Sequence, residues 1–376
     1  MKLSLVTFFC FCISISAYSQ SYQEHFERGI TLQKESDLEG SESEFAKAIF
    51  YDPYNPLPYY ERGVVRLRLY KLYEAIEDFN KAIEYEHPMV VLSISNRGSA
   101  WQELGEYEKA LTDFDHSISI DSGCYLAYSN RGHLKYLLED FDGALTDFEK
   151  AIKLASTYGS PYTGRGLIKF DKGDMKGAMK DYEKAISLDP SDPQPYSNRG
   201  GIKKEKGDLE GALKDYTLAT EVDPYFADGY YNKGTILDKQ SKFEEAILEY
   251  SKALKLSPYD VNAYSNRGVS KARSTPNDYF GAIVDFARVV ELDPENVLAF
   301  NNLGLTRANL GDFEKSIPDL SKAIELDPTY AFAYRNRGKS YAKLDQLDKA
   351  CIDFMKAIEL GDDFSIELKK EFCTDK

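Results

Sequence analysis

An asparagine that recurs at a nearly fixed interval is the feature of this chain best suited to repeated polar chemistry. It opens an Asn-Arg-Gly triplet at five positions, and two variant triplets keep the asparagine. The seven residues are Asn96, Asn130, Asn198, Asn232, Asn266, Asn302 and Asn336. A carboxamide both donates and accepts hydrogen bonds, so it can pair with the backbone of another polypeptide whatever its side chains. The alternative is that each amide bonds to a neighbouring part of its own chain or to water.

The basic residue that follows the asparagine position points to a structural role. It is arginine in most repeats, and an acidic residue lies 16 residues later, or 18 in one repeat. The candidate pairs are Arg62 with Asp78, Arg97 with Asp113, Arg131 with Asp147, Arg165 with Asp181, Arg199 with Asp215 and Arg337 with Asp353. Lys233 with Glu249 changes the type of pair, and Leu303 interrupts the series opposite Asp319. We predict a ladder of structural ion pairs between two facing helices.

Residues suited to catalysis or metal binding are few. The four histidines, His25, His87, His116 and His133, lie at unrelated positions and lack the spacing of metal ligands. None forms a recognisable nucleophile site with a cysteine or a recurring acid. The many carboxylates are better explained by a solvated helix face than by acid–base chemistry. We expect no catalytic residue, no metal site, no cofactor and no enzymatic activity.

The elements that position these residues are indicated by ten glycines, spaced mostly 34 residues apart. They are Gly29, Gly63, Gly98, Gly132, Gly166, Gly200, Gly234, Gly268, Gly304 and Gly338. A period of this length marks a stack of identical supersecondary units. With each glycine taken as position 8, the units begin near residues 22, 56, 91, 125, 159, 193, 227, 261, 297 and 331.

The recurring residues within a unit describe a pair of helices. Position 4 is mostly aromatic, positions 20 and 27 are mostly alanine, and position 24 is aromatic in nine of ten units. Positions 20, 24 and 27 follow helical spacing. A helical glycine costs about 1 kcal/mol relative to alanine, so its recurrence indicates close approach of two helices. We expect the rings at positions 4 and 24 to fill the space between one hairpin and the next.

The pattern combines glycine at position 8, alanine at positions 20 and 27, an aromatic residue at position 24 and a closing proline. It resembles the tetratricopeptide repeat (TPR) family from about Tyr22 to Leu360. The resemblance implies an all-α fold, a right-handed superhelical solenoid of ten helix-turn-helix repeats over residues 22–361. A capping helix is expected within residues 362–376, and a longer turn near Ser274–Asp278. The resemblance also implies that the asparagines at position 6 face a concave groove and bind an extended peptide. The family's carboxylate clamp, lysine at position 5 and asparagine at position 9, is absent.

The N-terminus has the pattern of an export signal. Lys2 precedes an apolar run from Leu3 to Ala17, and Ala17 and Ser19 are small residues at the positions that a signal peptidase reads. We predict that residues 1–19 form a signal peptide and that the mature chain is periplasmic or secreted. An uncleaved anchor is the alternative, although the run is short for a span of about 20 residues.

Cysteine positions and net charge narrow the expectations further. Cys351 and Cys373 lie in the last repeat and near the C-terminus, so a disulfide between them would tie the last helix to the array; two free thiols are the alternative. Cys124 has no evident mate and is expected to be packed.

The formal net charge of −15 disfavours nucleic acid and anionic membranes as ligands.

The prediction for function is a non-enzymatic scaffold or adaptor in the cell envelope, which binds a protein or an extended peptide along the concave groove. Two alternatives remain open at this point: a periplasmic holding chaperone for unfolded clients, and an accessory subunit of an envelope or secretion complex. Self-association through stacked end repeats is a further alternative. Insertion into the membrane is not expected once the signal has been removed.

Overall fold

The computed structural model describes residues 20–373, and every regular element within that range is an α-helix. The chain divides at Asp189 and Pro190 into two compact units. The predicted signal peptide, residues 1–19, lies outside the described residues, as do residues 374–376. Within residues 20–373 no helix is long and apolar enough to cross a membrane. The predicted all-α class is confirmed.

The N-terminal unit contains helices α1 to α10. They are α1 (20–34), α2 (Leu38–Tyr51), α3 (Pro56–Arg68), α4 (Leu72–Glu84), α5 (Val90–Glu103), α6 (Tyr107–Ile120), α7 (Tyr125–Leu137), α8 (Phe141–Leu154), α9 (Ser160–Asp171) and α10 (Met175–Leu188). From α3 onward each odd-numbered helix packs most extensively on the even-numbered helix that follows, so the repeating element is an antiparallel hairpin.

The C-terminal unit repeats the same hairpin and ends in one extra helix. Its helices are α11 (Pro193–Glu205), α12 (Leu209–Val222), α13 (Ala227–Lys239), α14 (Phe243–Leu256), α15 (Val261–Arg273), α16 (Tyr279–Leu292), α17 (Val297–Asn309), α18 (Phe313–Leu326), α19 (Ala331–Lys343), α20 (Leu347–Glu359) and α21 (Phe364–Phe372). The predicted longer turn is present between α15 and α16, at residues 274–278.

Each hairpin is closed around its position-8 glycine. A methyl group on Gly132 would lie 2.8 Å from Cε1 of Phe148, the position-24 ring of the same hairpin. The missing Cβ creates a notch that this ring occupies, so the ring also packs within its own hairpin, which the sequence did not predict. Phe148 is fully buried there, and it also reaches Ile168 of the next hairpin. One side chain thus packs two hairpins.

The last helix is attached by a covalent bond. Cys351 of α20 and Cys373, just after α21, form a disulfide, as predicted. The ring of Phe372 lies 6.2 Å from that of Phe354, so α21 covers the final hairpin. Asp362 accepts a hydrogen bond of 2.6 Å from the Ser365 hydroxyl at the start of this helix.

Candidate functional site

The first helices of successive hairpins form a face of their own. In the N-terminal unit α3 contacts α5, α5 contacts α7 and α7 contacts α9; in the C-terminal unit α11 contacts α13, α13 contacts α15 and α17 contacts α19. We call the exposed side of these odd-numbered helices the inner face. All seven recurring asparagines are on first helices, two in the N-terminal unit on α5 and α7 and five in the C-terminal unit on α11, α13, α15, α17 and α19, so each unit has its own set of candidate residues.

In the N-terminal unit the asparagine amides reach back to the preceding hairpin. Nδ2 of Asn96 donates to the Tyr60 hydroxyl at 3.4 Å. Nδ2 of Asn130 donates to the hydroxyls of Ser99 and Ser95, at 3.2 and 3.4 Å. The acceptors are side chains at positions 5 and 9 of the repeat before. The amide nitrogens therefore bond to the neighbouring hairpin, which was one of the two alternatives for these residues.

The C-terminal unit repeats the arrangement. Nδ2 of Asn232 donates to the Ser197 hydroxyl at 3.3 Å, and Nδ2 of Asn266 donates to the Tyr231 hydroxyl at 3.1 Å. No donor among residues 20–373 hydrogen-bonds to the Oδ1 atoms of these two residues, nor to those of Asn96 and Asn130. Four half-buried amides thus use their donor inside the fold and keep an acceptor open.

The remaining three asparagines are not equivalent to these four. Oδ1 of Asn198 accepts from Gln194 at 3.0 Å, and its Nδ2 is buried without an acceptor. Asn336 is only 5% exposed and donates to Oδ1 of Asn301 at 3.0 Å, while Asn301 in turn donates to Asn302 at 3.3 Å. Asn198 and Asn302 thus have occupied Oδ1 atoms, and Asn336 is almost fully buried, which sets these three apart from Asn96, Asn130, Asn232 and Asn266.

The position-5 partners were not predicted from the sequence. They carry hydroxyl or amide groups 35 or 36 residues before the asparagine that donates to them: Tyr60, Ser95, Ser197, Tyr231 and Asn301. Their common spacing from the asparagines was a readable signal.

The predicted ion pairs lie together in the structure. Arg131 donates through Nε and Nη2 to both carboxylate oxygens of Asp147, at 2.8 and 2.6 Å, and Asp147 is only 2% exposed. These bonds raise the pKa of Arg131 further above its ordinary value. The other pairs have closest N–O distances of 2.6 to 2.8 Å: Arg62 with Asp78, Arg97 with Asp113, Arg165 with Asp181, Arg199 with Asp215, Arg267 with Asp285, and Arg337 with Asp353. Lys233 lies 3.3 Å from Glu249.

A second cation serves many of the same carboxylates. Nζ of Lys135 lies 2.8 Å from Oδ2 of Asp147. The other position-11 residues that act in this way are Arg66, Lys169, Lys203 and Lys271. Arg307 pairs with Asp319, so Leu303 does not leave that acid without a cation. In the first repeat Glu44 pairs with His25 and Lys47.

The position-7 arginines also join one hairpin to the one before it. Nη1 of Arg97 donates to Asn80 at 2.6 Å, and Nη1 of Arg337 donates to Ser321 at 2.9 Å. Arg131 reaches Asp115 in the same way, and its guanidinium carbon lies 5.5 Å from the centre of the Tyr128 ring. The ladder is therefore part of the packing between repeats.

The histidines do not assemble into a site. Nε2 of His133 lies 3.0 Å from the Ser160 hydroxyl, and its ring packs against Phe148. Burial lowers the pKa of His133 to about 4, so it is neutral at pH 7. Nδ1 of His87 accepts from the backbone N–H of Met89, and the ring stacks on Tyr60. Within residues 20–373 no group of three or more His, Cys, Asp or Glu side chains could hold a metal ion.

Family models match this chain along much of its length. A model described as "TPR repeat" matches residues 166–207 and 234–273, and models described as "Tetratricopeptide repeat" match 125–158, 193–226, 297–330 and 320–352. A human protein, "Tetratricopeptide repeat protein 6", is 30% identical over 100 residues, which are 27% of this chain and 19% of that protein. The chain thus spans about a fifth of the length of that relative.

Solved structures with similar folds were also found. YrrB, described as a TPR protein with an unusual peptide-binding site, is 27% identical with a TM-score of 0.46, over 50% of this chain and 97% of YrrB. MamA is 24% identical with a TM-score of 0.43, over 49% of this chain and 97% of MamA. Yeast Tom70 is 16% identical with a TM-score of 0.40, over 93% and 94% of the two chains.

Proposed function

Because the chain belongs to the tetratricopeptide repeat family, we propose that it is a non-enzymatic scaffold that binds an extended polypeptide along its inner face. Proteins of this family are generally interaction scaffolds without catalytic activity. The inner face has the polar groups that such binding needs.

The proposal rests on four asparagines whose Nδ2 groups are hydrogen-bonded within residues 20–373, whereas their Oδ1 atoms are not. In Asn130 and Asn232 the Nδ2 donor is held by a hydroxyl of the preceding repeat, which orients the amide. Their Oδ1 atoms, like those of Asn96 and Asn266, have no donor among residues 20–373. A peptide N–H is the natural complement of such an acceptor, and it is present at every residue of a ligand except proline.

The spacing of the acceptors suits an extended ligand. Packed helices lie about 10 Å apart, and an extended chain advances about 3.3 Å per residue. Successive asparagines would therefore meet about every third residue of the ligand. Each hydrogen bond contributes about 1 kcal/mol net, so the asparagines alone give weak binding. Selectivity would come from the side chains between them.

The partner, in this proposal, is a protein of the periplasm or of the space outside the cell. The signal-like residues 1–19 support this location. The disulfide between Cys351 and Cys373 supports it as well, because disulfides persist mainly in oxidising compartments.

The test is a crosslinking capture of partners from the native envelope by two matched variants. Asn232→Ala with Asn266→Ala removes two open acceptors that together contribute about 2 kcal/mol, so we expect the yield of specific partners to fall at least about tenfold. Asn302→Ala is the control, because Oδ1 of Asn302 already accepts from Asn301. Equal yields from wild type and the double variant would refute the proposal, provided that both melt at the same temperature. Capture of many unrelated denatured proteins would instead indicate a holding chaperone.

A further inference from the structure

The outward side of the second helices changes character within the array. Position 22 is exposed to solvent in all ten repeats. In the first six it is polar: Ser43, Glu77, Thr112, Thr146, Lys180 and Lys214. In the last four it is Leu248, Val284, Pro318 and Ile352, which we call the apolar row. Leu248, Val284 and Ile352 are 63%, 66% and 62% exposed.

Neighbouring positions strengthen the contrast. Position 25 lies one turn further along the same helix face. It is charged in three of the first six repeats, at Asp115, Glu149 and Glu183, and uncharged in the other three. In the repeats of the apolar row it is Ser251, Ala287, Ser321 and Met355. Phe280, one turn before Val284, is 71% exposed. An exposed apolar surface of this kind on a folded chain marks an interaction site.

Charged residues border the apolar row on both sides. Position 18, one turn before it, is acidic in three of the four helices: Glu244, Glu314 and Asp348. Position 26, one turn after it, is basic in all four: Lys252, Arg288, Lys322 and Lys356. These cations already form pairs within their own helices, such as Lys322 with Glu325 at 2.6 Å and Lys356 with Glu359 at 2.7 Å. Exposed pairs of this type contribute at most about 1 kcal/mol, so another partner can replace them.

A surface with an acidic border and a basic border is complementary to itself. A two-fold axis parallel to the apolar row sets the acidic border of one copy against the basic border of the other, and apolar row against apolar row. A two-fold axis that lies in the plane of the interface but runs perpendicular to the apolar row would instead set like charges against each other. We propose that a second copy of this chain docks on the outward side of α14, α16, α18 and α20, forming a symmetric dimer. The inner face belongs to the other helices of each hairpin, so it remains open to a ligand.

The first test is the oligomeric state of the purified full chain by sedimentation equilibrium. Concentrations from about 1 to about 100 μM cover the range in which a dimer with a weak interface of standard size would form. We expect twice the monomer mass. Val284→Lys and Ile352→Lys should each weaken the dimer at least about tenfold. Thr112→Lys and Thr146→Lys introduce the same side chain at position 22 of the N-terminal unit, and they should leave the dimer unchanged.

The second test addresses the two-fold geometry. One variant has Glu244, Glu314 and Asp348 changed to Lys, and another has Lys252, Lys322 and Lys356 changed to Glu. We expect each variant to be monomeric alone, because like charges then face each other, and the two to associate when mixed. A monomeric wild-type protein over the whole concentration range overturns the proposal. So does a dimer whose dissociation constant is unchanged by Val284→Lys and Ile352→Lys.

Discussion

Two adjacent glycines in α11, Gly200 and Gly201, should respond in opposite directions to the same substitution. Both lie in the interior of Pro193–Glu205. Replacing a helical glycine by alanine favours the helix by about 1 kcal/mol at either site. A methyl group on Gly201 finds its nearest neighbour, the Tyr216 hydroxyl, at 4.0 Å. Gly201→Ala should therefore raise the free energy of unfolding by about 1 kcal/mol.

At Gly200 the same methyl group meets the ring of Tyr216. Its distance to Cε1 would be 2.8 Å, against 3.4 Å or more in ordinary contacts. Tyr216 is only 1% exposed, so the ring cannot move aside into solvent. Overpacking of this kind costs about 1–3 kcal/mol. Set against the gain in helix propensity, Gly200→Ala should change the free energy of unfolding by between about 0 and −2 kcal/mol.

The assay is native-state hydrogen exchange at the amides of α11 and α12, because repeat arrays need not unfold in one step. The two variants should differ by about 1–3 kcal/mol, with Gly201→Ala the more protected. In a Tyr216→Ala background the methyl group at residue 200 has room, so Gly200→Ala should then be stabilising. If Gly200→Ala is as stable as Gly201→Ala in the wild-type background, the notch is not the reason for the glycine.

Three further predictions concern the ladder, the half-buried His133 and the disulfide. Asp147→Asn removes the charge that binds Arg131 and Lys135, and native-state hydrogen exchange in α7 and α8 should show a loss of about 3 kcal/mol; Lys135→Met should cost less than about 1 kcal/mol, since Arg131 remains. Because burial lowers the pKa of His133 from its ordinary value of 6.5 to about 4 in the fold, only the unfolded chain gains a proton between these values. The free energy of unfolding should fall by up to about 3 kcal/mol as the pH drops through this window, and His133→Gln should remove that fall. Replacing Cys351 by Ser opens a loop of 22 residues and should cost about 3 kcal/mol, seen as faster hydrogen exchange in α21; unchanged exchange would show that packing alone holds this helix.

The sequence predicted the ladder partners but not the full set of bonds. Arg131 and Asp147 were found because their spacing recurs. Lys135 was missed, although it lies one helical turn after Arg131 and reaches the same carboxylate. For the same reason Leu303 was taken as an interruption, although Arg307, one helical turn later, forms the ion pair with Asp319. A linear pattern shows which residues recur, but not which of two neighbouring turns reaches an acid on another helix.

The asparagines show a second limit of the sequence. Their position in the repeat was evident, and all seven lie on first helices. Which amide atom stays open depends on the residue at position 5 of the preceding hairpin, a contact that exists only after stacking. Asn301 differs from the serines and tyrosines at that position, and its amide engages both Asn302 and Asn336. The notch within each hairpin was missed for a similar reason, since the period does not show that the position-24 ring also packs against the glycine of its own hairpin.

The double supply of cations to the buried acids has a consequence for how this array tolerates mutation. Position 23 is acidic in all ten repeats. Position 7 is basic in every repeat except that of Leu303, and position 11 is basic in only six. Where two cations serve one carboxylate, either can mutate while the other keeps the acid neutralised. No second carboxylate can replace the acid in these repeats, since both cations bind to it. Among the ten repeats, therefore, the basic residues at positions 7 and 11 vary, whereas position 23 carries an acidic residue in every repeat.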